Sequence, residues 1–163
     1  MGNPIQAYFG SSTGLTGTGN GSIGNTLASL ANGSAVSTYQ GSAGATSAIT
    51  GPMQLRVYFN LMTGTTPTQG GMIVFYLLQW DTNASGLVTD GASANGGAFT
   101  PVFAPIIHTV AVTSVSNVAY KGSFVIKNPG PLWAIGIGNF TGSTLNGTAG
   151  NFSAYYVTES IST

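Results

Sequence analysis

Charged side chains are the scarcest class of residue in this chain of 163 amino acids. Three basic and three acidic residues make up 4% of the sequence and leave no net charge at pH 7, whereas about 25% of residues are charged in ordinary soluble domains. Few charges mean little electrostatic repulsion between copies, so the composition favours a chain that assembles with other protein. Three cations cannot supply the basic field that a nucleic acid or an anionic membrane surface requires, and we expect neither partner.

Cysteine is absent, which excludes disulfides and thiolate metal sites. The first ten residues (MGNPIQAYFG) have neither the basic start nor the apolar run of a secretory signal. The apolar stretch at 71–80 (GMIVFYLLQW) is too short to span a bilayer as a helix. No targeting segment is visible, the lack of cysteine fits a reducing compartment, and we expect no membrane partner.

Glycine, in contrast, is abundant, and residues 19–24 (GNGSIG) match the spacing of a dinucleotide-binding loop. Such a loop lies between a buried strand and a helix, and an acid about twenty residues further on holds the ribose. No apolar strand precedes Gly19, and the first acid of the chain is Asp81. We interpret the stretch as a flexible loop and expect no nucleotide cofactor.

The chain divides into two parts of different composition. Residues 1–48 contain ten glycines and no charge, and they predict an N-terminal arm or ordered loop region. Within it we expect a short strand or an apolar anchor over 5–9, one or two helical turns over 26–31, and a short strand over 36–43. An arm of this kind is costly to order alone, so we expect a partner surface to hold it. Residues 49–163 predict a β-sandwich domain.

Alternating apolar and polar residues in the second part predict β-strands. In residues 53–62, Leu55, Val57, Phe59 and Leu61 alternate with polar side chains, which is the period of a half-buried strand. The same reasoning predicts six strands in all, at about 53–62, 72–80, 106–115, 118–127, 132–140 and 152–161.

Two features of these strands bear on the fold. Gly136 and Gly138 share one face of their strand, so we expect another group to pack close to that backbone. The connections between strands are of unequal length, and no long helix is evident. The sequence therefore predicts an all-β protein, an antiparallel β-sandwich of jelly-roll or Greek-key type with a Gly/Ser/Thr-rich N-terminal arm.

Residues able to perform catalysis or bind metal are few and dispersed. His108 is the one histidine, and no acid and activated serine accompany it in the pattern of a triad, so we interpret it as a packed or interface side chain. Asp81 and Asp90 flank one loop, which leaves calcium binding open although the spacing of known calcium loops is missing. We expect no enzymatic activity, no metal and no cofactor.

Aromatic side chains offer a different kind of site. Several of them lie on predicted strands and would suffice for a sugar-stacking platform, although such residues more often belong to a core or a subunit interface. They are Tyr58, Tyr76, Trp80, Tyr120, Tyr155 and Tyr156.

A small set of residues is predicted to contact a protein partner. Arg56, the one arginine, projects from the outer face of its strand, and Glu159 is its candidate ionic partner within the chain or across subunits. Ile5, Tyr8 and Phe9 are apolar or aromatic residues in an otherwise glycine-rich stretch. We expect Ile5, Tyr8, Phe9 and Arg56 to touch a neighbouring subunit or shell.

The chain resembles the jelly-roll cement (head-decoration) proteins of tailed bacteriophages, both in the arm (MGNPIQAYFGSSTG) and in the strand block from QLRVYFNL to NFSAYYVTES. The resemblance lies in composition, length and architecture. It implies a structural virion protein that is made in the host cytoplasm, lies on the outer surface of the capsid as a homotrimer or dimer, and clamps neighbouring major capsid subunits. Two alternatives stay open: a receptor- or glycan-binding head-fibre or tail domain, and another shell, spike or tail subunit.

Overall fold

A computed structural model of the protein describes residues 6–17, 21–38, 53–80, 90, 96–130 and 132–162. These residues form two antiparallel sheets that pack as a sandwich, which confirms the predicted fold class. The strands are β1 (Gln6–Phe9), β2 (Thr13–Gly14), β3 (Ser34–Ser37), β4 (Met53–Met62), β5 (Met72–Trp80), β6 (Gly97–Phe99), β7 (Ile106–Ala111), β8 (Ala119–Lys127), β9 (Leu132–Phe140) and β10 (Ser153–Ser162). One helix, α1, spans Ile23–Leu27, and a 3₁₀ turn spans Ala149–Asn151.

The strands pair in jelly-roll order. The first sheet runs β1–β10–β4–β8, with β2 also paired to β10, and the second runs β6–β3–β9–β5–β7. If the short strands β2 and β6 are set aside, the other eight, numbered in chain order, pair as 1–8–3–6 and 2–7–4–5. This is the double Greek key of a jelly roll.

The core lies between the inner faces of the two sheets. Leu55, Val57 and Leu61 of β4 are fully buried there, as their alternation predicts. Phe59 crosses to the second sheet and meets Phe75 with 5.0 Å between ring centroids. Strands β4, β5 and β9 have the predicted bounds, because each one places every second side chain in this layer.

The described parts of residues 1–48 belong to the sandwich. β1 extends the first sheet by pairing with β10, and β3 lies in the second sheet between β6 and β9. Ile23, Leu27 and Val36 are buried in the main core. The boundary at residue 48 stays a prediction, because residues 39–52 lie outside the described part.

The second half of the glycine motif is a capped helical turn, which corrects its interpretation as a flexible loop. Ser22 is the N-cap of α1, and its Oγ accepts a hydrogen bond from the amide of Gly24 over 3.2 Å. A Cβ on Gly24 would meet the carbonyl of Ala149, so this glycine permits close packing against the 3₁₀ turn. Gly19 lies outside the described residues. No helix in the described part is both long and apolar enough to cross a membrane.

One strand is shorter than predicted. β7 ends at Ala111, four residues before the expected end at residue 115. The amide of Val112 still donates to the carbonyl of Gly71, next to β5. The amide of Thr113 donates instead to the hydroxyl of Tyr120 on β8, so the chain turns from the second sheet towards β8 after Val112. Apolar residues continue past the strand because Val112 is itself buried in the core.

Candidate functional site

The charged residues of the described chain gather on the outer face of the first sheet. This face consists of the side chains of β10, β4 and β8 that alternate with core residues, and we call it the polar face. Of the six charged residues of the sequence, Asp81 lies outside the described part and Asp90 lies elsewhere. The other four are on the polar face: Arg56, Lys121, Lys127 and Glu159.

Arg56 and Glu159 form an ion pair on this face. Glu159 is only 6% exposed, and its carboxylate accepts hydrogen bonds from Nε of Arg56 over 2.7 Å and from Nε2 of Gln54 over 2.6 Å. The hydrogen bond and the charge of Glu159 raise the pKa of Arg56. The predicted pairing of these two residues is confirmed within one chain, where it ties β4 to β10. Contact of Arg56 with a partner subunit stays a prediction.

Beside the ion pair, two tyrosines on adjacent strands frame a shallow groove. The rings of Tyr58 on β4 and Tyr155 on β10 stack with 4.9 Å between centroids and 14° between planes. The groove has a volume of about 530 Å³, within the usual range of small-ligand sites, about 300–1,000 Å³. We call it the tyrosine groove; its polar and aromatic lining includes Tyr58, Asn60, Lys121, Ser123, Ser153 and Tyr155.

The other candidate aromatic residues do not join these two. Tyr76 lies on the opposite outer face of the sandwich and packs edge-to-face with Phe99. Tyr156 is buried in the core against Trp133, and burial raises its pKa. The hydroxyl of Tyr120 accepts the amide of Thr113 over 2.8 Å. The side chain of Trp80 lies outside the described part, so the described platform is a pair of tyrosines.

The outer face of the second sheet is apolar and carries a cover of its own. Val74, Tyr76 and Leu78 of β5 form a second buried cluster with Ala104, and Phe99 packs against it. Because β5 is apolar on both faces, it serves the main core with one face and this cluster with the other. The covering residues come from the segment 96–105, which leads from β6 into β7.

Glycines in β9 make room for this cover, as the sequence predicts. A Cβ on Gly136 would lie 2.5 Å from Cζ of Phe99. A Cβ on Gly138 would lie 2.7 Å from Cε2 of Phe140 and 3.1 Å from Cε2 of Tyr76. Aromatic rings therefore lie directly on the backbone of β9, which confirms the expected close approach.

Most of the large hydrophobic residues exposed in the described chain lie on this side of the sandwich. Phe103 is 84% exposed and Val102 is 68% exposed, in the covering segment. Ile106 at the start of β7 is 61% exposed. We call the set of five the apolar face: Met72, Val102, Phe103, Ile106 and Phe140. The sequence analysis missed Val102 and Phe103, although two bulky apolar residues between Pro101 and Pro105 (PVFAP) were a signal of an exposed loop.

Asp90 anchors the segment that presents the apolar face. Its carboxylate accepts three backbone hydrogen bonds, from Val102 over 2.9 Å, Phe103 over 2.8 Å and Ala104 over 2.7 Å. Desolvation opposes ionisation of this carboxyl, but the three donors together outweigh it and lower its pKa. Converging backbone amides bind an anion and repel a cation. The structure therefore favours a role for Asp90 in holding the segment 102–104 over a role as a calcium ligand. The described residues contain no cluster of metal-binding side chains.

His108 is a packed side chain, as the sequence predicts. Its ring stacks on Phe124 of β8 with 4.8 Å between centroids and 17° between planes. The rings of Phe59 and Phe75 contact it from the core, with 5.7 Å and 5.8 Å between ring centroids. Partial burial lowers its pKa. His108 thus joins the edges of the two sheets where β7 and β8 meet.

The predicted contact residues of the N-terminal segment lie at the edge of the first sheet. In β1, Tyr8 is paired with Ser160 and Phe9 with Glu159. Ile5 lies outside the described residues. The assignment of Ile5, Tyr8 and Phe9 to a partner interface stays a prediction.

Comparison with known proteins finds a weak structural similarity and no similar sequence. No protein-family profile and no curated protein sequence matches the chain. A solved structure that is similar is the cowpea mosaic virus top component, described as naturally occurring empty particles. It is 8% identical, has a TM-score of 0.30, and the similarity covers 99% of this chain and 85% of that chain. At this level the similarity is weak and does not assign a function.

Proposed function

We propose that this protein is a structural virion protein, a cement or decoration protein that clamps neighbouring major capsid subunits on the outer surface of a capsid. The observation that carries the proposal is the apolar face. Five large hydrophobic side chains are exposed on one side of the sandwich, and four of the six charged residues lie on the other.

The difference between the two faces supports one orientation on a shell. Monomeric soluble proteins seldom expose contiguous apolar patches larger than about a few hundred Å², and larger patches mark interaction sites. We propose that the five exposed residues on one side of the sandwich belong to such a site. The polar face carries exposed lysine and serine side chains, which water solvates well. We therefore orient the apolar face towards the capsid and the polar face towards solvent.

The fold is compatible with this role. Double-sheet jelly rolls occur in viral capsid proteins and in lectin domains, and fold alone does not distinguish between such functions. The charge-poor composition favours contacts made through shape and apolar surface. A homotrimer or dimer would place several apolar faces against adjacent capsid subunits. The edge strand β1, with Tyr8 and Phe9, would then touch a neighbouring copy or the shell, and so would Ile5, which precedes this strand in sequence.

The test is reconstitution of particles that lack this protein. Wild-type chain and the variant Val102→Ser/Phe103→Ser are added to such particles, and occupancy is measured by sedimentation and gel densitometry. Val115→Ser is the matched control, because Val115 is 59% exposed but lies beyond the opposite end of β7. We expect the double variant to lose occupancy and the control to bind like the wild type.

Two results would contradict the proposal. Normal occupancy of the double variant on the particles would show that the protein does not attach through the apolar face. A low copy number in native particles would also contradict it, because a tail or spike subunit is present in far fewer copies than a protein that decorates the whole shell.

A further inference from the structure

We propose that the tyrosine groove binds a carbohydrate and prefers a sugar unit that carries a carboxylate. The groove lies on the polar face, on the opposite side of the sandwich from the apolar face. The inference rests on the groove alone and does not require attachment to a capsid. In a protein that attaches through its apolar face, the groove would point away from the attachment surface.

The stacked tyrosines provide a rigid aromatic wall. Tyr58 and Tyr155 are direct cross-strand partners, so the β4–β10 ladder holds their rings in register. The partner of Tyr58 on the other side is Ser123 of β8, whose small side chain leaves space next to the ring. Sugar rings pack their apolar C–H face on aromatic rings, and a rigid ring loses little conformational entropy when it binds.

Polar groups of the kind that bind sugar hydroxyls surround this wall. The hydroxyls of Ser123 and Ser153 line the groove, and each can donate or accept a hydrogen bond. Nδ2 of Asn60 donates to the carbonyl of Asn151 over 3.3 Å, but its Oδ1 is buried without a hydrogen-bond partner in the described chain. Unsatisfied buried acceptors are uncommon in folded proteins. Asn60 lines the groove, and a hydroxyl donor of a bound sugar is the kind of group that would satisfy its Oδ1.

The electrostatics of the groove favour an acidic sugar. Lys121 lines it and is exposed, with its ammonium available to a ligand. The acid of the polar face, Glu159, is already engaged by Arg56 and Gln54. A carboxylate on the ligand would thus meet a cation without meeting a free anion, and a charge-assisted hydrogen bond is stronger than a neutral one.

The experiment titrates the ¹⁵N-labelled full chain with an oligogalacturonate and, in parallel, with a neutral oligogalactoside of equal length. Chemical-shift changes are followed by NMR. We expect the oligogalacturonate to shift the amides of β4, β8 and β10 around Tyr58, Lys121 and Tyr155. The neutral sugar should shift the same amides with an affinity weaker by about ten-fold, the effect of losing one charge-assisted hydrogen bond.

Two lysines of one strand supply a matched pair of variants. Lys121 and Lys127 are both exposed on the polar face of β8, but only Lys121 lines the groove. Lys121→Gln should weaken binding of the oligogalacturonate by about ten-fold and leave the neutral sugar unaffected. Lys127→Gln should change neither. Tyr58→Leu, which retains apolar bulk for folding, should weaken both sugars.

Several outcomes would overturn the inference. The inference fails if neither sugar shifts any amide, or if the shifted amides lie away from the groove. It also fails if Lys121→Gln and Lys127→Gln have equal effects on binding of the oligogalacturonate. Equal affinity for the acidic and neutral probes would refute the preference for a carboxylate. Because capsid attachment is assigned to the opposite face, Lys121→Gln should retain wild-type occupancy on particles, so failure of one proposal is distinguishable from failure of the other.

Discussion

The ring of Phe99 occupies the space that a side chain at residue 136 would fill. A Cβ on Gly136 would approach Cζ of Phe99 to 2.5 Å, and its distance to Cβ of Tyr76 would be 3.1 Å. The contact connects β6 to the centre of the second sheet, so the covering segment begins from a fixed point. The segment that carries Val102 and Phe103 of the apolar face is therefore positioned by the contact of Phe99 with Gly136, on the side of β9 that faces away from the main core.

Gly136→Ala should destabilise the protein by about 1–3 kcal/mol, because the added methyl group overpacks a filled site and displaces Phe99. Gly14→Ala is the matched control, since a Cβ at Gly14 meets nothing within 4 Å. Its effect should stay within about 0.5 kcal/mol. Urea denaturation of both variants measures the difference. Equal free energies of unfolding for the two would show that Phe99 is not held at this site.

Asp90→Asn should loosen the covering segment. The amide retains one acceptor oxygen but turns its NH₂ group towards backbone donors, so hydrogen bonds to Val102, Phe103 or Ala104 are lost. Asn is the suitable substitution because Asp90 has a φ of 60°, which Asn tolerates better than Ala. Hydrogen exchange should become faster at residues 102–104 and stay unchanged in β4. Unchanged protection at 102–104 would contradict the role of anchor.

The same carboxylate predicts a loss of stability in acid. Its pKa is lowered in the folded protein, so its contribution is present above the ordinary value of 3.8 and is lost as the pH falls through the folded value. Thermal melts of the wild type below pH 4 should therefore show a steeper decline than those of Asp90→Asn. Parallel curves for the two proteins would count against the three backbone hydrogen bonds.

His108 predicts a separate transition at higher pH. Burial lowers its pKa below the ordinary 6.5, so the unfolded chain binds a proton more readily than the folded one. Stability is then complete above the ordinary value and declines as the pH falls towards the folded value. His108→Gln should flatten the melting temperature between about pH 7 and pH 5. A wild type whose melting temperature is constant over this interval would refute the assignment.

The strands and the core were predictable from local pattern. The strands at 53–62, 72–80 and 132–140 have the expected bounds. Their apolar residues, alternating or continuous, show directly which side chains are buried and therefore where each strand begins and ends. Glu159 was identifiable as a partner for Arg56 because charges are so few. Pairing across the sheets was not readable in this way, since ladder partners are far apart in the chain and hydrogen-bond through backbone groups that every residue carries.

The surface features were the least predictable part. Strand β6 has only three residues, too few to show a period. The apolar face depends on the path of a loop between two prolines and on an aspartate twelve residues before Val102. The tyrosine groove depends on which strands are neighbours: Tyr58 and Tyr155 are almost a hundred positions apart in sequence but directly opposite in the sheet. Such sites follow from topology rather than from local spacing.

Attachment through the apolar face should be almost insensitive to salt. Screening weakens charge–charge contacts as the Debye length falls to about 3 Å at 1 M ionic strength, but burial of apolar surface does not depend on it in this way. Particles carrying the protein are washed at neutral pH in low salt and in about 1 M NaCl, and bound protein is quantified. Occupancy should be equal in both. Release in high salt would assign attachment to ionic contacts of Arg56, Lys121 or Lys127, and would turn the polar face towards the shell.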